Sequence, residues 1–448
     1  MKCNQELSGA AINPASAMDY VPTEQLRTLQ LARLKEITQR AYDHVGLFRA
    51  RMEEKGVTPE QIRTLEDIRL LPFTVKADLR DTYPFGLFAS PMKDIVRLHA
   101  SSGTTGKPIV VAYTRDDIKT WAQSMMRTLA SCGMHSGDII QVSYGYGLFT
   151  GGLGAHYGAE ELGATVIPAS GGNTERQIML MKDFGVTGIC CTPSYFLHLA
   201  EQAEKMGIDL RKLPLRAGAF GAEPWTAEMR RHIEECAGIK AYDIYGLSEI
   251  TGPGVASSCS EQDGLHVFED LYYPEIIDPA TGEVLPDGEE GELVLSTLTK
   301  QAMPMLRYRT RDITRIITEK CPCGRSIRRI ERISRRSDDM FIIRGVNVFP
   351  SQIETAILNV EAVLPIYQIV LTRDHGLDNI EVDIEVNEAI FSDKVSAIEE
   401  IKQKISHSIE RTLGIRVFVR MLAPNSIPRS EGKARRVIDK RNLSDSKA

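Results

Sequence analysis

The spacing of apolar positions changes three times along this chain, and each change marks a different kind of structure. Over 23–45, Leu26, Leu29, Leu34, Ile37 and Ala41 recur at helical spacing, and Thr23 stands where a cap is expected. From 138 to 246, short apolar runs alternate with amphipathic stretches. The runs at 138–144, 164–168, 187–192, 215–221 and 240–246 predict strands, and 174–184, 195–206 and 226–236 predict helices. Repeated β-α-β units imply a parallel sheet with helices on both faces and ligands at the carboxyl ends of its strands. Residues 265–318 read differently. Asp278-Pro279-Ala280-Thr281-Gly282-Glu283 and Pro286-Asp287-Gly288 are turn signals between short strands, and 292–297 alternates apolar with polar. This predicts an antiparallel sheet or a small β-barrel. From about 339 the pattern restarts, with a strand at 341–344, a helix at 350–360 opened by Pro350, strands at 365–372 and 379–386, a long helix at 393–413 and a last strand at 417–422. The expected fold is α/β: a large N-terminal domain over 1–337, made of a parallel sheet plus a small β-barrel part, and a small α+β C-terminal domain over 338–448.

Composition narrows the function classes. The chain has 448 residues, 42% hydrophobic and 25% charged, as in soluble globular proteins. A net charge of −6 argues against nucleic acid as the main partner. No apolar run approaches the ~20 residues that span a bilayer. Met1-Lys2-Cys3-Asn4-Gln5-Glu6 lacks the apolar segment of a signal peptide, so a cytoplasmic protein without membrane partners is expected. Eight cysteines in this length make no disulfide framework and read as free thiols or metal ligands.

The densest chemistry lies in Ser101-Ser102-Gly103-Thr104-Thr105-Gly106-Lys107-Pro108. Two hydroxyl pairs, two glycines and a lysine can present backbone N–H groups, hydroxyls and a cation to one anion, such as a nucleotide's phosphate chain. The spacing is not that of a Walker A loop, and the β-rich residues that follow predict a flap joining two strands. Tyr245-Gly246-Leu247-Ser248-Glu249 ends a predicted strand. Ser248 and Glu249 suit a phosphate oxygen and its Mg²⁺, an ion that prefers oxygen ligands, and Tyr245 can stack on a base. Gly221-Ala222-Glu223-Pro224 ends the preceding strand, as an adenine slot or as a plain strand-to-helix turn. In Tyr308-Arg309-Thr310-Arg311-Asp312, Asp312 is an acceptor for ribose hydroxyls or one member of a salt-bridged strand end. Arg336 lies within reach of a nucleotide, and Asp338 is the hinge candidate at the compositional restart. Lys433, after Gly432, can neutralise charge developing at an α-phosphate; the alternative is a solvated basic run with Arg435, Arg436, Lys440 and Arg441.

Taken in order, the segments 101–108, 245–249, 308–312, 336–338 and 428–433 resemble the core motifs of the adenylate-forming acyl-CoA synthetase superfamily. The stretches Tyr144-Gly145-Tyr146-Gly147-Leu148-Phe149-Thr150-Gly151-Gly152, Ser170-Gly171-Gly172-Asn173-Thr174-Glu175-Arg176-Gln177 and Ile343-Arg344-Gly345-Val346-Asn347-Val348-Phe349-Pro350 resemble its phenylacetate-CoA ligase branch. The resemblance implies ATP, Mg²⁺ and coenzyme A as cofactors and a two-step reaction. A carboxylate attacks the α-phosphate of ATP to give acyl-AMP and pyrophosphate, and the thiol of coenzyme A then displaces AMP. It implies a C-terminal lid that rotates between the steps, carrying Lys433 in for the first. The implied nucleotide contacts are Ser101, Ser102, Gly103, Thr104, Thr105, Gly106, Lys107, Ala222, Glu223, Pro224, Asp243, Tyr245, Gly246, Ser248, Asp312 and Arg336, with Lys433 and Glu249 catalytic. Tyr144, Tyr146, Phe149 and Gly221 would line the pocket of an aromatic acid, unless the aromatics are core. Other aryl acids of indoleacetate or benzoate type, loading of a carrier protein, and a non-catalytic nucleotide-binding module are the competing readings. A homodimer is compatible with the sequence and not fixed by it.

A separate signal is Cys321-Pro322-Cys323-Gly324, which with Cys259 and His266 would complete a Cys₃His structural zinc site.

Overall fold

The computed structural model of the chain describes residues 14–100, 108–333, 335–337, 341–343, 346–360, 366–374, 377–386, 395–429 and 436–441. Five strands, Thr165–Ile167, Ile139–Val142, Gly188–Cys191, Ala217–Phe220 and Lys240–Leu247, lie side by side in that order and run parallel. Alternate residues of these strands enter two different cores. Ile140, Cys190 and Ala219 join the core that holds the helices Thr23–His44 and Arg115–Ser131, while Ile189, Cys191 and Phe220 join the core of Thr174–Asp183, Pro193–Lys205 and Ala227–Ala237. A strand's period of two therefore covers both faces of the sheet with helices, as the β-α-β pattern predicts. Cys190 and Cys191 are the buried hydrophobes their apolar setting suggests. Beyond Lys240–Leu247 the sheet is not parallel: Gly252–Ser257, Leu265–Val267, Arg329–Ile330 and Ile316–Ile317 extend it with antiparallel pairings to nine strands.

The expected barrel is corrected. Tyr272–Ile277, Gly291–Thr297, Tyr308–Thr314 and Arg335–Arg336 form an open sheet whose first and last strands do not pair, because the fourth is only two residues long. Thr23 is also corrected: Pro22 precedes the helix, and no side chain caps it. Thr74 is one of the residues that tie the open sheet to the N-terminal segment. Thr74 donates its N–H to Arg307 O (3.1 Å) and its hydroxyl to Leu306 O (2.6 Å), and accepts from Arg309 N (2.9 Å). This sets the start of the strand that carries Asp312.

The C-terminal unit has a core of its own, from Phe341 and Ile353 through Ile369, Val382 and Ile405 to Val419. Its four-stranded sheet is Phe418–Leu422, Leu377–Glu385, Tyr367–Asp374 and Val437–Asp439, a smaller pair joins Phe341–Ile343 to Val346–Val348, and the helices Pro350–Leu358 and Val395–Leu413 pack together. Val437–Asp439 is a strand the apolar pattern missed, and it pairs parallel with Tyr367–Asp374. The basic run beside it is not solvated throughout. Arg436 pairs with Glu354 and donates to Tyr367 Oη (2.9 Å), and Arg441 pairs with Asp439 and Asp378. No helix among the described residues is long and apolar enough to cross a membrane.

Candidate active site

The strand Lys240–Leu247 delivers Tyr245 to the crevice at its carboxyl end. There the phenol donates to Asp312 Oδ2 (2.5 Å), and Arg336 Nη1 donates to Asp312 Oδ1 (3.0 Å). Burial raises the Tyr245 phenol well above its ordinary value, and the adjacent Asp312 carboxylate adds to that, so the phenol remains a donor. Asp312 comes from the open sheet, where it pairs directly opposite Arg336. Three motifs 67 and 24 residues apart thus meet at one carboxylate.

Ser248 and Glu249 follow in the turn after the same strand. Ser248 Oγ lies 3.1 Å from Thr150 Oγ1. Glu249 is buried, 3.7 Å from Lys76 Nζ, with Tyr308 beside it. The Thr74 bridge explains the Lys76 contact, because it docks 74–76 against the start of the Tyr308 strand. A hydroxyl and a carboxylate side by side, with a phenol and a cation facing them, present hard oxygen donors that fit Mg²⁺ and a phosphate oxygen.

The flanks of the Ser/Thr segment reach the same place. Ile95–Ala100 and Val110–Thr114 pair antiparallel, with Ala100 opposite Val110, so the intervening residues join two adjacent strands as predicted. Ala100 N donates to Leu148 O (3.1 Å), which ties the root of that hairpin to the segment 144–152 and, through Thr150, to Ser248. Ser101, Ser102, Gly103, Thr104, Thr105, Gly106 and Lys107, like Asp338 and Lys433, lie outside the described residues.

The aromatic wall divides. Tyr144 is 4% exposed and belongs to the main core, Tyr146 is half-buried, and Phe149 is exposed. Tyr146 Oη is 3.2 Å from His156 Nδ1, and His156 Nε2 pairs with Glu160 (3.1 Å). Gly221 owes its identity to the neighbouring strand, since a Cβ there would stand 2.4 Å from Ile244 O. Gly246 is equally constrained, with Gly252 O at 2.0 Å from its would-be Cβ. Ala222 holds φ +71, a conformation an alanine rarely takes and one that collects at functional sites. Glu223 accepts from Ser194 N (2.8 Å) and, with Pro224, lines a cavity of about 200 Å³ shared with Arg336, Phe349, Tyr367 and Arg436. Asp243 is buried, and its carboxylate accepts from Arg332 Nε (3.0 Å).

Lys300 carries no motif and was not a candidate. It is 3% exposed, donates to Ile250 O (2.7 Å) directly after Glu249, and lies 4.7 Å above the Tyr113 ring. Burial pulls its ammonium down to about 8, against the pull of Asp117 and Glu249. Between pH 8 and the ordinary lysine range the folded chain therefore binds fewer protons than the unfolded one, and stability rises with pH. Relative to Lys300→Met, the wild type gains about 3 kcal/mol over that window. Paired denaturant titrations at pH 7.5 and 10.5 measure it; a constant difference between the two proteins would show that the charge is not buried.

Comparison with known proteins fits this geometry. Residues 38–304 match the model of the AMP-binding enzyme family, and residues 345–441 match that of the AMP-binding enzyme C-terminal domain. The chain belongs to the AMP-binding enzymes. Within that family it sits among the adenylate-forming CoA ligases: it is 53% identical to a phenylacetate-coenzyme A ligase of Pseudomonas putida, over 95% of this chain and 96% of the relative. It is 51% identical to one of Escherichia coli strain K12, over 95% and 97%. Among solved structures, a 2-hydroxyisobutyryl-CoA ligase in the postadenylation state superposes with a TM-score of 0.91 at 31% identity, covering 97% of this chain and 95% of that one. The same ligase with coenzyme A in the thioesterification state superposes at 0.71, with 32% identity and 96% and 92% covered. Asp312 and Arg336 fall between the two family-model spans, so it is the fold that attaches them to the AMP-binding motifs.

Proposed function

We propose that the protein is an ATP-dependent phenylacetate, or closely related aryl acid, CoA ligase of the AMP-forming type. The observation that carries this reading is the meeting of Tyr245, Asp312 and Arg336 beside the Ser248-Glu249 turn, in a chain about half identical to phenylacetate-coenzyme A ligases over nearly its whole length. In this reading Asp312 accepts the ribose hydroxyls, Tyr245 and Arg336 hold its carboxylate in place, and Ala222, Glu223 and Pro224 face the adenine. Residues 101–107 close over the phosphates. Ser248 and Glu249 hold a phosphate oxygen and Mg²⁺, which when bound draws charge from the triphosphate. The aryl group lies against Tyr146 and Phe149, with Tyr144 behind as core. Lys433 supplies the cation for acyl-AMP formation and is withdrawn for the attack of coenzyme A.

We place the domain boundary between 337 and 338, with Asp338 as the hinge. The break between the family matches at 304 and 345 and the separate C-terminal core support this placement. The higher TM-score to the postadenylation complex supports assigning the described arrangement to the first half of the cycle.

The test is pyrophosphate release with ATP, Mg²⁺ and a panel of aryl acids, followed by thioester formation with free coenzyme A or a phosphopantetheinylated carrier. Phenylacetate should give pyrophosphate, and free coenzyme A should be the better acceptor. No release with any acid of the panel would remove the reading; transfer to the carrier alone would replace it with carrier loading.

A further inference from the structure

The cysteine–histidine cluster plays no part in the reaction above, and it is the most complete unassigned site among the described residues. Its four ligand atoms, the sulfurs of Cys259, Cys321 and Cys323 and a nitrogen of His266, all lie within 4.8 Å of one another. Cys259 Sγ is 3.6 Å from Cys321 Sγ, and Cys323 Sγ is 3.4 Å from His266 Nε2. Ligands at about 2.3 Å (sulfur) and 2.0 Å (nitrogen) from a tetrahedral zinc stand roughly 3.5–3.8 Å apart, so both spacings match a shared ion. All three cysteines are free thiols. His266 Nδ1 faces Ile327 O at 3.3 Å, which leaves Nε2 as the ligating nitrogen, the arrangement in which a backbone carbonyl orients a metal-bound imidazole.

The sheet explains why four residues spread over 64 positions converge. Ser257 pairs with His266, and His266 pairs with Arg329, so the chain beyond Ser257, the strand Leu265–Val267 and the turn before Arg329 share one sheet end. That end is the opposite end of the β-pairing from the Ser248-Glu249 turn. Gly252 lies opposite Leu247 at the Ser248-Glu249 turn, and Ser257 lies opposite Ile244 at the other end of the pairing. Cys259 follows two residues further on.

We propose that Cys259, His266, Cys321 and Cys323 bind one structural zinc ion. Four protein ligands leave no position for water or substrate. What the ion holds is the turn 321–326. From that turn Arg325 pairs with Asp19 (3.0 Å) and donates to Ser131 Oγ (3.0 Å), and Ser326 Oγ donates to Asp19 O and Val21 O. Asp19 also pairs with Arg127 (2.6 Å), with both side chains buried. Zinc thus anchors the segment Pro14–Tyr20 and the helix Arg115–Ser131 through Arg325.

Elemental analysis of the full chain, grown with zinc and washed with a weak chelator, should find about one zinc per chain. Cobalt exchanged into the site should show the intense visible bands of tetrahedral thiolate ligation and leave pyrophosphate exchange within about twofold of the zinc form. Cys323→Ser should lose at least nine-tenths of the metal. If that variant fails to fold, titrating wild-type thiols with a mercurial should release one zinc as three thiols react. Neither zinc nor a cobalt spectrum in the wild type, or full zinc retained by Cys323→Ser, would overturn the site. A change in exchange rate above tenfold on cobalt substitution would overturn its structural role.

Discussion

Replacing Lys433 with alanine is expected to slow acyl-adenylate formation about 10²–10³-fold while leaving thioester formation from supplied acyl-AMP within a few-fold of wild type. The expectation follows from where charge develops. A carboxylate attacking the α-phosphate adds negative charge to a centre already surrounded by phosphate oxygens, and Mg²⁺ held at Glu249, as proposed, would offset only part of it. A lysine after a glycine can approach closely and supply the missing cation. In the second step the attacking group is a thiol and the leaving group is AMP, and in the proposed cycle Lys433 is withdrawn before that attack. Pyrophosphate exchange measures the first half-reaction, and thioester formation from synthetic phenylacetyl-AMP measures the second. Equal losses in both would contradict the two-step assignment of Lys433 and of the lid that carries it.

Asp312→Ala should raise the KM for ATP about 100-fold and leave the KM for phenylacetate within a few-fold. The carboxylate is 5% exposed and accepts from both Tyr245 and Arg336. Hydrogen bonds to a charged group contribute about 1.5–3 kcal/mol each, and the alanine variant removes the proposed ribose acceptor and takes one partner from each of Tyr245 and Arg336. Asp312→Asn keeps the shape, loses the charge and should fall between the two, near tenfold. Exchange kinetics at varied ATP, with melting temperatures to confirm folding, decide the matter. An unchanged KM for ATP in a folded Asp312→Ala protein would move the ribose site elsewhere and leave Asp312 as the salt-bridged strand end.

Much of this site was legible in the chain because local chemistry marks it. Tyr245 to Glu249 and Tyr308 to Asp312 end or fill recognisable strands, whereas the donor-rich Ser101 to Lys107 lies outside the described residues. Lys300, Lys76 and Glu354 were not legible. Each is a lone charged residue whose role depends on a partner far along the chain: Ile250, Glu249 and Arg436. Arg436 misled for the same reason, since a basic run looks solvated until the fold buries one member against Glu354 and Tyr367. The helix Arg115–Ser131 is absent from the sequence expectations although Thr114 and Asp117 form its capping box; only the fold shows that Asp117 also accepts from Gln301 N and Ala302 N.

Period-two and period-3.6 patterns are properties of neighbouring residues, so the alternating strands and helices, the restart near 339 and the order of the motifs were set by the amino-acid sequence alone. The open end of the second sheet, the final strand Val437–Asp439, the convergence of Tyr245, Asp312 and Arg336 on one carboxylate, and the closing of Cys259 and His266 onto Cys321 and Cys323 were decided only in three dimensions. Strand pairing joins residues that share no local pattern, and burial shifts a lysine's proton affinity and pairs an arginine through groups that sequence distance conceals.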